Sequence, residues 1–215
     1  MRVAVIDYGS GNLRSAQKAL QRAAAERGLS AEIFITSDPA DLRRSDSIVL
    51  PGVGAFKECR DGLYAIAGMR ESLVEEVRSR AKPFLGICVG MQLMASKGFE
   101  FGETSGFDWI RGVVRPIRPE PPTLKIPHMG WNSLELSRPH ALLRGLASDG
   151  SVHAYFVHSF EFVPDDAAAV CATASYGAPI AAFIAEANMA GTQFHPEKSQ
   201  ATGLTLLANF LEWRP

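Results

Sequence analysis

Residues 82–92 read KPFLGICVGMQ. KPFLGIC has the apolar, strand-like texture of a buried sheet element, and VGMQLMAS, which follows without a spacer, begins a helix. A strand that turns at once into a helix strains the backbone at the bend and crowds the positions two residues to either side. Gly86 and Gly90 stand at those positions. The pattern is the nucleophile elbow G-x-S-x-G with Cys88 in place of serine. Such a bend presents the sulfur at the carboxyl end of a sheet, where open α/β folds place their ligands. It also sets the sulfur beside a helix N-terminus, which favours thiolate, and leaves the Val89 N–H facing a developing oxyanion. A cysteine after a strand is also an ordinary small core residue, so the pattern needs a base to give it meaning.

Outward from the bend, strands and helices alternate. RVAVIDY (2–8) reads as a buried strand, and the following helix carries Leu13, Ala16, Leu20 and Ala24 at helical spacing and stops at Gly28. AEIFIT is a second strand; Ser37 or Asp38 then caps a short helix with Pro39 in its first turn. SIVLPG is a third strand, and MRESLVEEVRSRA is helical. This alternation implies a parallel core with helices on both faces. After residue 105 the runs DWIRGVVRPIRP, WNSLELS, VHAYFVHSFEFVP, AAVCATASY and PIAAFIAE are strand-like with few helices between them, which predicts an antiparallel extension. RPEPP (118–122) is a loop, because its prolines cannot donate to a ladder. The tail returns to helical spacing with Leu204, Leu207, Phe210 and Leu211 on one face.

The 215 residues, 47% of them hydrophobic, suffice for one substantial core, so residues 1–215 are read as one domain. Lysine and arginine total 22 against 23 acidic residues. That balance gives no electrostatic footprint for nucleic acid or an anionic membrane. Asp7 and the glycines after it interrupt the N-terminal apolar run before a signal peptide or membrane span could form. Cys59, Cys88 and Cys171 show no paired spacing, which argues against a disulfide framework or a zinc site and fits a reducing cytoplasm. No metal or cofactor is expected.

Five histidines could serve the sulfur. His140 (SRPHALL) resembles a helix start, and His128 (IPHMGWN) lies in a proline-bounded loop; neither has an acid at a useful spacing. His153 and His158 share one strand-like run, where structural histidines are common. His195 differs, because in GTQFHPEKS an extended x-Pro-x segment would put Glu197 on the same side, able to accept from the imidazole and aim it at the sulfur. HPEKS could also be a plain charged turn. Taken together, an elbow cysteine, a distant histidine and a nearby carboxylate form a set that nucleophilic catalysis needs and packing does not.

With GICVGMQ and FHPEKS both present, the chain resembles the class I glutamine amidotransferases over nearly its whole length, and so implies their flavodoxin-like α/β fold. IDYGSGNLRS, LPGVGAF, PHMGWN, YFVHSF and FHPEKS narrow the likeness to the glutaminase subunits of imidazole glycerol phosphate synthase. The resemblance implies Cys88 as nucleophile, His195 as general base and acid, and Glu197 as its orienting carboxylate. It implies that PGVG (51–54), through Gly52 and the Val53 N–H, completes an oxyanion hole with Val89. Gln92 would contact the substrate glutamine, Glu100 its α-amino group, and the N–H groups of Ser159 and Phe160 its carboxylate. At Glu100 the preceding LMASKGF departs from the usual run of aromatic and acidic residues. The implied reaction hydrolyses glutamine to glutamate and ammonia, and the ammonia passes to a (β/α)8 cyclase subunit in a heterodimer of histidine biosynthesis. Asn12, Trp131, Asn132 and Lys198 are the implied interface residues. YGSGN (8–12) lacks the lysine and spacing of a phosphate cradle. Rival readings are an amidotransferase subunit of the anthranilate-synthase type, a stand-alone cysteine hydrolase, and a non-catalytic regulatory subunit.

Overall fold

The computed structural model describes residues 1–215. Its first half is β1 (Arg2–Ile6), α1 (Leu13–Glu26), β2 (Glu32–Thr36), α2 (Pro39–Arg44), β3 (Ser47–Gly52), α3 (Phe56–Ala65), α4 (Met69–Leu73), β4 (Phe84–Cys88) and the short α5 (Val89–Gln92). The second half is β5 (Lys97–Gly98), β6 (Thr104–Ser105), β7 (Gly112–Pro116), β8 (His128–Ser133), β9 (Glu135–Leu136), β10 (His153–His158), β11 (Phe160–Pro164), β12 (Val170–Ser175), β13 (Pro179–Glu186), β14 (Met189–Thr192) and α6 (Gln200–Glu212).

The main sheet has the order β2-β1-β3-β4-β14-β13-β12-β9. The first five strands pair in parallel, and β13, β12 and β9 add an antiparallel edge. Buried on both sides, β1, β3 and β4 are continuously apolar after Arg2 and Ser47 at the starts of the first two, rather than alternating. On α1, Ala16, Leu20, Ala23 and Ala24 turn inward, the stripe that a period of 3.6 requires. Asp38 caps α2 by accepting from the Ala40 N–H at 2.9 Å. The buried apolar cluster runs without a break through both halves of the chain.

Four details go beyond or correct the reading of the pattern. The chain from 56 to 65, given no element by its pattern, is helix α3. MRESLVEEVRSRA is helical as far as Ser79 but in two forms: α4 ends at Leu73 and Val74–Ser79 continues as a π-helical turn. The helix after Cys88 lasts only four residues. VHAYFVHSFEFVP is two strands, because the chain breaks at Ser159 and changes sheets, β10 pairing with β8 and β11 with β7. A period-2 pattern marks strands but not where one sheet hands the chain to another.

Candidate active site

The elbow has the geometry its glycines predict. Cys88 sits at φ +55°, ψ −109°, a conformation that non-glycine residues rarely adopt. A Cβ on Gly86 would lie 2.5 Å from the Gly90 carbonyl oxygen, and one on Gly90 would lie 1.8 Å from that of Leu50. Here α5 presses directly on the backbone of β3 and β4, so side chains at 86 and 90 have no room. Gly52 at the end of β3 is similarly confined, since a Cβ there would lie 2.8 Å from the Gly90 nitrogen. Val89 opens α5, a position whose N–H has no acceptor within the helix.

His195 follows β14, the strand beside β4. Its Nδ1 lies 2.8 Å from Glu197 Oε1, and both side chains are only 2% exposed. The local conformation differs from the extended x-Pro-x expected. Pro196–Lys198 is a 3₁₀ turn, and the carboxylate reaches back across it to the ring. Ser199 fixes this turn, its hydroxyl donating to the His195 carbonyl at 2.7 Å and accepting the Tyr155 N–H at 2.9 Å. Gly203 lets α6 pack against it, since a Cβ there would meet the Pro196 carbonyl oxygen at 1.8 Å.

Burial by itself lowers the imidazole pKa, but the Cys88 sulfur and the Glu197 carboxylate outweigh it and push His195 up to about 9. His195 itself makes no hydrogen bond to Sγ in this structure, and its Nε2 is left buried without a partner. A group whose folded pKa is raised contributes stability in full below its ordinary value of 6.5 and loses it as pH rises through about 9. Glu197→Gln should therefore lower the His195 midpoint in an NMR titration. It should also flatten the fall in thermal stability between those pH values; an unchanged midpoint would contradict the pairing.

A cavity of about 290 Å³ joins these groups. Cys88, Val89, Gln92, Glu100 and His195 line it, with Val53, Gly54, Ser159 and Phe160 on its other walls. Gln92 is not the exposed helix residue that its position alone would suggest. It is buried, and its Nε2 donates to the Phe160 carbonyl and to Gln193 Oε1, both at 3.0 Å. One Glu100 oxygen accepts the Phe56 N–H at the start of α3 at 2.7 Å, so the carboxylate is held at the cavity edge.

The Val53 N–H, expected to point at an oxyanion, instead meets Ser10 Oγ at 3.3 Å. Ser10 Oγ also donates to the Val53 carbonyl, to which Cys59 Sγ contributes at 3.3 Å. Gly54 at φ +101° supplies a backbone position that most residues avoid. In this arrangement the Val53 N–H is taken up by Ser10 and is not free for an oxyanion.

Three residues around the site escaped the sequence pattern: Gln193, whose Nε2 donates to Cys88 Sγ at 3.6 Å, Ser199, which holds the turn at His195, and Ser10, which holds Val53. Gln193 was open to detection, because it precedes His195 by two and an extended chain puts both on one side. His128 is not in a loop; it opens β8 and is buried against His158. Trp131 is half exposed, Lys198 lies over the Tyr155 ring at 5.6 Å, and Asn132 turns back to the Ser175 carbonyl. Asn12 precedes α1 and makes no capping bond through its side chain.

Residues 4–213 match the family model for glutamine amidotransferase class-I. The chain belongs to the class I glutamine amidotransferase family. Among its relatives, the imidazole glycerol phosphate synthase subunit HisH of Rhizobium meliloti is 56% identical over 216 residues, and its namesake from Rhodospirillum rubrum 57% over 216. Each alignment covers 100% of both chains. Among solved structures, a glutamine amidotransferase superposes with a TM-score of 0.72 at 19% identity, covering 98% of this chain and 97% of the other. A glutamine amidotransferase from Thermotoga maritima gives 0.61 at 20%, covering 92% and 76%. At those identities the likeness is one of fold. No helix of the chain is long and apolar enough to cross a membrane.

Proposed function

We propose that the chain, acting as one domain, is the glutaminase subunit of an imidazole glycerol phosphate synthase, hydrolysing glutamine and delivering ammonia to a cyclase subunit. The observation that supports the chemistry is that Cys88 and His195, from distant parts of the chain, line one cavity, while Glu197 pairs with the His195 ring at 2.8 Å. The full-length relatives that bear the HisH name support the assignment to histidine biosynthesis.

In this reading the Cys88 thiolate attacks the side-chain amide carbon of glutamine. The Val89 N–H, joined by that of Val53 once it leaves Ser10, stabilises the oxyanion. His195 protonates the departing nitrogen and ammonia leaves. His195 then takes a proton from water, which attacks the thioester and releases glutamate and the thiol. Gln92 and Glu100 hold the substrate's amino-acid end with the peptide of Ser159 and Phe160, and Gly52 gives the oxyanion loop room to turn.

Ammonia released into water at neutral pH is mostly protonated and no longer nucleophilic, so transfer to a bound acceptor is the economical course. The docking face assigned to the cyclase contains Trp131, Asn132, Lys198 and Asn12, with exposed Met129 beside them. A half-exposed tryptophan flanked by methionine and lysine suits a protein interface. Glutamate release should be slight for the isolated chain and rise by orders of magnitude with the cyclase subunit and its acceptor bound. Equal turnover with and without them would remove the gating, and no turnover in either state would remove the glutaminase.

A further inference from the structure

Two buried histidines have no part in the reaction as described. His128 and His158 face each other across the β8–β10 pair, and Nδ1 of the first lies 2.9 Å from Nε2 of the second. At one end of this pair, His158 Nδ1 lies 2.9 Å from the Phe160 carbonyl oxygen. At the other, His128 Nε2 lies 3.1 Å from Asn132 Nδ2.

Every proton in the row can be placed by elimination. A carbonyl only accepts, so His158 Nδ1 carries a hydrogen. Asn132 Oδ1 accepts the Ser133 N–H at 2.9 Å and its Nδ2 donates to the Ser175 carbonyl at 2.8 Å, which fixes which end of the amide is which. Nδ2 therefore donates to His128 Nε2, leaving the hydrogen of that ring on Nδ1, from where it donates to His158 Nε2. The two ends agree. Both rings are neutral Nδ1–H tautomers, and each bond points the same way, from Asn132 toward Phe160. Burial acts in the same sense, lowering His128 to about 4 and His158 to about 3. The rings of Phe156 and Tyr176 stack on His128 at 4.7 and 4.2 Å and hold its plane.

The row ends on a functional wall. The Phe160 carbonyl that accepts from His158 also accepts from Gln92, and Phe160, His158 and Gln92 all line the cavity. It begins on β8, between half-exposed Trp131 and Ser133. We propose that Asn132, His128 and His158 are positioning residues, a one-way hydrogen-bond row that fixes the main chain at the Phe160 carbonyl from the exposed strand β8 and so sets the affinity for the amide substrate. The effect on affinity rests on the functional reading above; the row itself does not.

The test uses the complex with the cyclase subunit. Nitrogen-15 spectra of histidine-labelled protein should show both rings as neutral Nδ1–H tautomers at pH 7; an Nε2–H form at either would overturn the row. His128→Phe keeps the stack and loses both hydrogen bonds. It should raise KM for glutamine roughly tenfold, the effect of one misplaced hydrogen bond, with kcat within about twofold and ammonia-dependent synthesis unchanged. His158→Asn, which retains a donor toward the Phe160 carbonyl, should lie closer to wild type in KM than His158→Ala does. Equal KM in wild type and folded His128→Phe, or no difference between Asn and Ala at 158, would refute the positioning role. A wild-type complex without glutaminase activity would refute the functional reading alone, while the ring signals would still decide the row.

Discussion

Replacing Cys88 with alanine is expected to lower glutamine-dependent turnover of the complex by a factor on the order of 10⁴ or more, with ammonia-dependent synthesis intact. Without sulfur no thioester forms, and the oxyanion donors and the imidazole have no bonded intermediate to act on. Alanine meets the same φ of +55° as cysteine, so the bend itself asks no more of the variant backbone. Cyclisation of an acceptor by free ammonia does not need this pocket. A loss of only about tenfold would mean that another group attacks the amide. Loss of both activities would mean that the two subunits do not divide the chemistry.

Gly90→Ala should be the most damaging single methyl group in the chain's first half, because the new Cβ would fall 1.8 Å from the Leu50 carbonyl oxygen. That contact is with backbone, so no side chain can swing aside, and α5 must lift from β3 with Cys88 and Val89 attached. A loss of about 3 kcal/mol or more is expected from urea denaturation, together with loss of glutaminase activity. Gly28→Ala provides the contrast. Its φ is +64° but nothing lies within 4 Å of the added atom, so it incurs only backbone strain, roughly 1–2 kcal/mol. If the two variants proved equally stable, close approach of α5 to β3 would not be what the glycines at the elbow serve.

The elbow is legible in the sequence because its constraint is local: a strand, a bend and a helix need glycines at fixed offsets from one residue. The pairing of His195 with Glu197 is legible for the same reason, although the path between them is a 3₁₀ turn rather than extended chain. Other features depend on contacts between distant segments. Ser10 meets Val53, and Gln92 meets Phe160 and Gln193, through a fold that brings separate segments of the chain to one cavity. No periodicity encodes such meetings. A loop at His128 is what the nearby prolines suggest, whereas its burial comes from pairing with β10, far along the chain. The long run around Ser159 conceals a change of sheet, and that change brings Ser159 and Phe160 to the cavity.

The loop proposed to complete the oxyanion hole would supply a physical reason for restraint without the proposed partner. A Val53 N–H held by Ser10 Oγ leaves the cavity one donor short, and a single such donor is worth about 10²–10³ in rate in related acyl-transfer chemistry. Rotating that peptide costs the Ser10 contacts, so whatever stabilises the turned form raises turnover. A docked cyclase, seated near Trp131 and Lys198, is in the proposed arrangement the agent that does so.

The proposed chemistry requires that one thiol of three forms a covalent bond to the amide carbon. The most direct test treats the active complex with a glutamine analogue carrying an electrophile in place of the side-chain amide, then maps the adduct by peptide mass spectrometry. A single adduct is expected, on Cys88, suppressed by excess glutamine. An adduct on Cys59 or Cys171 in its place, or full inactivation with Cys88 unmodified, would contradict that chemistry.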